Sequence, residues 1–348
     1  MHTDAGTPRT GRTRAREMSM CGCPGAVIGE IDRCPGAPAA DAAAFRPGVP
    51  GASCEAGMLL ADRYRLVEVL GDGATARVWR ARDELLDRDV AVKRFHGARA
   101  FPVPEARMTA RFRHPNVVAV HDILRHEGSW ALVMDYYPGG TVASLLGGRR
   151  VLTPPVAAAI GLQLLAALRA VHEAGVVHCD VKPSNLLLGR EGEVVLSDFG
   201  IAEIIGQAPA HPGRREGMVV GSPGYMAPEL LQSGSPSPAS DLWSMGVTLY
   251  TVLEGRAPFS GGDAPWAVAT VLHDLPPKSR RAGPLTPLLG RLLAREPMWR
   301  PSHDEVYRLL TDAGPAPRGP ILAGFAAEMT PAEPATARAS DQRHRMCA

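Results

Sequence analysis

The sequence predicts an α+β chain in two successive parts, a smaller β-rich one and then a larger, mainly α-helical one. Three observations carry that reading. Apolar and polar residues alternate, with Gly and Pro punctuation, from Tyr64 to about residue 137. After Pro138-Gly139-Gly140 the pattern changes to long apolar runs of helical period. Gly and Pro, 37 and 32 of the 348 residues, crowd the two ends, where neither a period of 2 nor one of 3.6 is present. The length allows roughly two average domains, or one larger bilobed domain with tails. Hydrophobic residues at 45% and charged residues at 21% exclude wholesale disorder and a fibrous repeat.

From Met1 to about Gly57 the chain is Ala, Gly, Pro and Arg, and a flexible arm is expected there. It holds Cys21, Cys23, Cys34 and Cys54, whose spacing lacks the paired CxxC of a zinc knuckle, so they are read as free thiols. Tyr64-Arg65-Leu66-Val67-Glu68-Val69-Leu70 alternates as a half-buried strand does and breaks at Gly71 and Gly73. Strands are expected again at Arg77 to Ala81, Val90 to Phe95 and Trp130 to Met134. In Pro155 to Ala174, Ile160, Leu164, Leu168 and Val171 recur at helical spacing. Asp241 to Leu253 is nearly all apolar, too short to cross a bilayer, and so predicts a helix buried in a lobe centre. Leu285 to Leu293 and His303 to Leu310 complete the helices; beyond about Asp312 an Ala- and Pro-rich tail is expected.

Charge names no partner. With 38 basic and 36 acidic side chains the net charge is +2, which predicts neither nucleic acid nor an acidic membrane as a ligand. No run approaches 18 consecutive apolar residues, and the Arg-bearing start lacks an apolar stretch after it, so no membrane span and no signal peptide are expected. Six unevenly spaced cysteines fit a reducing compartment, and the expected location is cytoplasmic.

The chemistry concentrates in a few motifs. Gly71-Asp72-Gly73-Ala74-Thr75-Ala76-Arg77-Val78 joins two strands; it is either a tight turn or a loop whose backbone N–H groups approach phosphate oxygens. Its strand-to-strand setting argues against a Rossmann site, which needs a strand followed by a helix. Lys93 follows Val90-Ala91-Val92 on a buried-looking strand and requires an anionic partner, either Glu105 or a nucleotide phosphate. His178-Cys179-Asp180-Val181-Lys182-Pro183-Ser184-Asn185 is followed by Asp198-Phe199-Gly200 and later by Ala227-Pro228-Glu229. Asp180, Asn185 and Asp198 offer oxygen ligands and a proton acceptor, and Lys182 a fixed positive charge, the donor set that hard cations such as Mg²⁺ prefer. A polar loop beside a hairpin explains any one of these residues but not the ordered set.

With these motifs the chain resembles the eukaryotic-type serine/threonine protein kinases common in GC-rich actinobacteria, over about residues 60–311. The resemblance implies a bilobal protein-kinase-like fold, with an N-lobe over about 60–134, a hinge over 135–140 and a C-lobe over 141–311, flanked by an arm (1–57) and a tail (312–348). It implies ATP and Mg²⁺ as cofactors, with Mn²⁺ as an alternative, and protein substrates that include the chain itself. Residue by residue, Gly71, Gly73 and Val78 belong to the phosphate-covering loop, and Lys93 with Glu105 to the pair that positions the α and β phosphates. Asp180 accepts the substrate hydroxyl proton, Lys182 neutralises the moving phosphoryl group, and Asn185 and Asp198 hold the metal. Met134 resembles the gatekeeper, Asp135 to Tyr137 the adenine-binding hinge, and Val78, Ala91 and Leu187 the slot around the ring. Glu229 with Arg300 resembles the pair that ties the activation segment to the large lobe, and Asp241 the anchor of the catalytic loop. Lys182 two positions after Asp180, together with Ser222, favours Ser/Thr over Tyr specificity.

The sequence departs from that pattern in places. Cys179 replaces the arginine that receives an activation-loop phosphate, and Ile201 to Gly221 contains no Ser, Thr or Tyr to carry one. Both absences predict a loop held by packing. Pro102 and Pro104 shorten the helix expected to carry Glu105, and Thr109 takes a position that is often apolar. The rival readings are a nucleotide-binding pseudokinase or scaffold and a small-molecule phosphotransferase of the aminoglycoside type. Retention of Lys93, Asp180, Asn185 and Asp198 speaks against the first, and the segment Gly221 to Glu229 against the second.

Overall fold

The computed structural model describes residues 55–96, 108–109, 113–147, 150–200, 203–204, 221–260, 262–314 and 330–331, with backbone alone at 203–204 and 330–331. Its small lobe is one antiparallel sheet, because alternating residues give each strand a single apolar face to bury. The strands are β1 (Leu59–Leu60), β2 (Tyr64–Asp72), β3 (Ala76–Asp83), β4 (Arg88–Phe95), β5 (Val120–His126) and β6 (Ser129–Asp135), in the order β1-β2-β3-β4-β6-β5. Leu60, Tyr64, Leu66, Trp79, Ala81, Val90, Val92, Leu124, Ala131 and Val133 form its core. Order starts earlier than Tyr64: β1 pairs with β2, and Glu55 meets Arg94 at 3.1 Å. Strand β5 was not anticipated, because His121, Asp122 and Arg125 interrupt its apolar pattern and a bulge at Val120/Asp122 resets its register.

The larger lobe grows around two helices. The first, α2 (Pro154–Glu173), follows the short α1 (Val142–Leu145) and the strand β7 (Arg150–Val151). By length and composition α2 is apolar enough to cross a bilayer, yet Val156, Ile160, Leu164, Leu168 and Val171 are buried in the lobe's core. Short strands β8 (Val176–Val177), β9 (Leu186–Leu188), β10 (Val194–Leu196) and β11 (Glu203–Ile204) follow, then α3 (Pro228–Ser233) and α4 (Pro238–Glu254). Every residue of α4 from Ser240 to Leu253 is buried. It starts three residues before the apolar run predicts, since Pro238 occupies the first turn and Ser237 with Ser240 forms a capping box. A Cβ on Gly246 of α4 would come within 2.7 Å of the Leu292 side chain, so glycine allows close helix packing there.

Helices α5 (Ala264–His273), α6 (Thr286–Leu292) and α7 (His303–Asp312) complete the lobe. Sequence reasoning missed α5, which buries Val271 alone and so carries no apolar stripe. It also missed the return of the tail, where β12 (Thr330–Pro331) pairs with β7. The rest of the expected arm and tail lies outside the described residues.

Asp83, fully buried at the end of β3, knits the far side of the small lobe. Arg63 donates to both its oxygens at 2.8 Å, and the N–H groups of Leu85 and Leu86 donate to Oδ1 at 3.3 Å. The Arg63 hydrogen bond is the main reason its carboxyl lies at about 2, against an ordinary 3.8. A folded pKa below the unfolded one gives stability that is complete above the unfolded value and is lost as pH falls through the folded one. Asp83→Asn should therefore cost roughly 1–3 kcal/mol at neutral pH. In urea melts, the gap between this variant and wild type should narrow as pH falls from about 4 toward about 2.

Candidate active site

Residues His178 to Asn185 run from β8 to β9, and their conformation is imposed by a buried carboxylate. Asp241, in the first turn of α4 and fully buried, accepts the His178 N–H at Oδ2 (2.8 Å) and the Cys179 N–H at Oδ1 (2.9 Å). Cys179 has φ +68°, a left-handed conformation that costs a non-glycine residue about 1–2 kcal/mol, and these two bonds hold it there. His172, near the end of α2, donates to Asp241 Oδ2 at 2.8 Å. Burial pushes the Asp241 carboxyl up, but the hydrogen bonds from the His172 side chain and the His178 N–H outweigh this and leave it below the usual Asp value.

The loop's polar side chains then converge. Lys182 Nζ donates to Asp180 Oδ2 at 2.6 Å and to Ser222 Oγ at 2.8 Å, so one cation joins the loop to the segment that follows residue 220. Asn185 Nδ2 donates to the same Oδ2 at 3.0 Å and to the Asp180 carbonyl at 2.8 Å. Asp180 Oδ1 accepts no hydrogen bond from the described residues, which suits an oxygen that takes a proton. His178 is fixed in its Nε2–H tautomer. That nitrogen donates to the Ser197 carbonyl at 3.0 Å, and Nδ1 accepts the Asp180 N–H at 3.2 Å.

Asp198 sits beyond β10 at φ +66°, and Lys93 Nζ on β4 reaches its Oδ1 at 2.9 Å. This bond crosses between the lobes and was not foreseen. Sequence reasoning offered Glu105 or a phosphate as the partner of Lys93, and Glu105 lies outside the described residues. Desolvation raises the Asp198 carboxyl, but Lys93, aided by His178 and Lys182, more than reverses this and holds it below the ordinary value. Phe199 is buried in the large-lobe core, edge-on to His178 at 4.6 Å, which fixes the direction Asp198 takes. With Asn185 donating through its amide nitrogen, its carbonyl oxygen and the second oxygen of Asp198 are the hard donors left for a divalent cation.

The slot predicted for an adenine ring has apolar walls. Ala91 of β4 is the register partner of Met134 on β6, and Val78 is that of Lys93. Leu187, Met134 and Tyr137 each pack against the large-lobe core. Asp135 donates its N–H to the Ala119 carbonyl at 3.1 Å, so its own carbonyl is the group left for a ligand. Gly139 and Gly140 tie this segment to β9 through reciprocal bonds with Leu188, each 2.9 Å. A Cβ on Gly139 would stand 2.5 Å from the Leu188 carbonyl oxygen, a clash that demands glycine. Gly71 and Gly73 differ: neither adopts positive φ, and a Cβ on Gly71 meets nothing. The protein's own packing does not require glycine at 71, whereas close approach of a bulky anion to the backbone would.

Sequence reasoning missed His172, although its signal was present: a polar residue ending an otherwise apolar helix, as Asp241 begins another. It did bring out Glu229 and Arg300. Arg300, with its side chain 1% exposed, donates to both Glu229 oxygens at 2.6 and 2.8 Å and to the carbonyls of Ala294, Ala239 and Arg295.

Comparison with known proteins agrees with this arrangement. The protein kinase domain family matches residues 64–309. The serine/threonine-protein kinase PknL of Mycobacterium tuberculosis is 37% identical over 213 residues, covering 59% of this chain and 53% of PknL. The serine/threonine-protein kinase PrkC of Bacillus subtilis is 31% identical over 257 residues, 70% of this chain and 39% of PrkC. PknA of M. tuberculosis is 37% identical over 233 residues, 64% of this chain and 53% of PknA. The chain thus spans about half the length, or less, of these relatives.

The Glu229–Arg300 pair sets a measurable expectation. Glu229→Ala leaves a guanidinium buried without its counter-charge and should cost roughly 3–5 kcal/mol. Adding Arg300→Met should recover part of that loss in urea melts, because it removes the stranded charge while giving up the carbonyl bonds.

Proposed function

The chain belongs to the protein kinase family, and from that premise we propose that it is an ATP-dependent protein serine/threonine kinase that also phosphorylates itself. The observation that carries this reading is two hydrogen-bonded groups, Asp180 with Lys182 and Asn185, and Asp198 with Lys93, on segments joined by the Ser197 N–H bond to the Asn185 carbonyl at 2.9 Å. Asp180, oriented by Lys182 and Asn185 through Oδ2, takes the hydroxyl proton of the substrate at its other oxygen. Lys182 neutralises charge on the phosphoryl group in flight, and Lys93 aligns the phosphates that the Gly71 to Val78 hairpin covers. Asn185 and Asp198 hold Mg²⁺ or Mn²⁺, which when bound neutralises the phosphate oxygens. Val78, Ala91, Met134, Leu187 and the backbone of Asp135 to Tyr137 receive adenine. Positioning and charge account for most of the catalysis, since phosphoryl transfer asks little covalent chemistry of the protein.

Preference for Ser and Thr is supported by the Lys182 to Ser222 bond, which joins the proton-accepting loop to the segment before the Ala227-Pro228-Glu229 motif. Activity independent of loop phosphorylation is supported by Cys179. Its side chain is buried and its Sγ lies 3.5 Å from the Val177 carbonyl, so no guanidinium stands before Asp180 to receive a phosphate.

Labelled ATP should transfer phosphate to the chain and to a mixed protein substrate. Asp180→Asn and Lys93→Met should each lower the rate by about a hundredfold or more. Equal labelling in all three proteins would defeat the kinase reading in favour of a nucleotide-binding scaffold. Phosphatase treatment should leave the rate within about twofold, as a loop without a phosphate receiver requires.

A further inference from the structure

Behind the catalytic loop a line of hydrogen bonds leads from the surface of α7 to the loop's backbone. His303, the first residue of α7 and half-buried, has its Nε2 3.0 Å from Nδ1 of His172, with the rings edge-on at 71°. His172, its side chain 6% exposed, reaches buried Asp241, which in turn holds the N–H groups of His178 and Cys179. A carboxylate only accepts, so His172 Nε2 carries its hydrogen toward Asp241. Neutral His172 then has a lone pair at Nδ1, and the hydrogen between the two rings belongs to His303 Nε2. The bonds from His303 to His172 and from His172 to Asp241 therefore run inward, and the two loop N–H groups donate to the same carboxylate from the other side.

We propose that His303 is a positioning residue: by donating to His172 it locks the imidazole tautomer through which Asp241 grips the catalytic loop. This deepens the kinase reading and rests on it for the activity measurement alone. The groups facing the pair are Arg169 and His172 from α2, Asp241 from α4, His178 from the loop, and Asp304 from α7, which Arg169 engages. Burial, His172 and Arg169 push the His303 imidazole down, against the pull of Asp304 and Asp241. The start of a helix also disfavours positive charge, which likewise opposes protonation of His303. Without the His303 donor, the His172 hydrogen can move to Nδ1, which would turn a bare lone pair on the Asp241 carboxylate. The grip on His178 and Cys179, and with it the placement of Asp180, would loosen.

The test uses the full chain with His303→Leu, which keeps bulk but cannot donate, and His303→Gln, whose amide nitrogen can replace Nε2. Imidazole ¹⁵N shifts, with His172 assigned by comparison with His172→Gln, should show a single Nε2–H tautomer in wild type. His303→Leu should give a mixture and His303→Gln should restore the single form. In parallel, kcat should fall about threefold to tenfold in His303→Leu, the size of one hydrogen bond, with KM for ATP within about twofold, and recover in His303→Gln. An unchanged His172 tautomer in His303→Leu overturns the proposal, as does a changed tautomer with unchanged kcat, or a lost kcat that His303→Gln does not rescue. The spectrum needs no turnover, so a wild type without phosphotransfer would overturn the kinase reading while the tautomer still decides this one.

Discussion

One buried carboxylate organises this protein. Asp241 sits in the centre of the large lobe with no exposure, and it is retained there because it is saturated: two backbone N–H groups and one imidazole satisfy it. Those partners lie on different elements, the end of α2 and the loop after β8, so the charge converts helix packing into loop geometry. The left-handed turn at Cys179 is tolerated because a rigid helix fixes the acceptor opposite it. Asp180, and through it the Lys182 and Asn185 side chains bonded to its carboxylate, inherits its placement from that anchor.

The two lobes contribute different physics to the site. The small lobe supplies a sheet in which β4 pairs with β3 and β6 in unbroken register, so Lys93 arrives at a fixed height opposite Val78 and Leu132. The large lobe supplies helices packed closely enough that Gly246 cannot bear a side chain. Its rigidity lets Phe199 bury its ring and leave Asp198 turned toward the lysine. Between them, one ammonium and one carboxylate meet at 2.9 Å.

The sequence revealed those features whose signal is local. Alternation from Tyr64 and the apolar run of α4 announced their elements, and the ordered motif from His178 to Asp198 announced residues that do converge. Features set by tertiary contact were hidden. Strand β5 is held by its neighbour β6 and not by its own pattern. Helix α5 buries a single residue, so periodicity had nothing to report. The salt bridge of Lys93 could not be assigned, because a strand lysine has several acids within reach and only the fold selects among them. His172 and His303, far apart in the chain, become neighbours only because α2 and α7 pack side by side.

The junction between the lobes is fastened unevenly. On one side the Val118 N–H and the Leu196 carbonyl hold a backbone bond of 2.9 Å. On the other, Gly139 and Gly140 grip Leu188 so tightly that a methyl group at 139 would not fit. Between these two rivets only Tyr136 to Pro138 lie beyond the end of β6 and before the glycines. A change in the crevice's width that displaced the glycines would first have to unpick β9 from them.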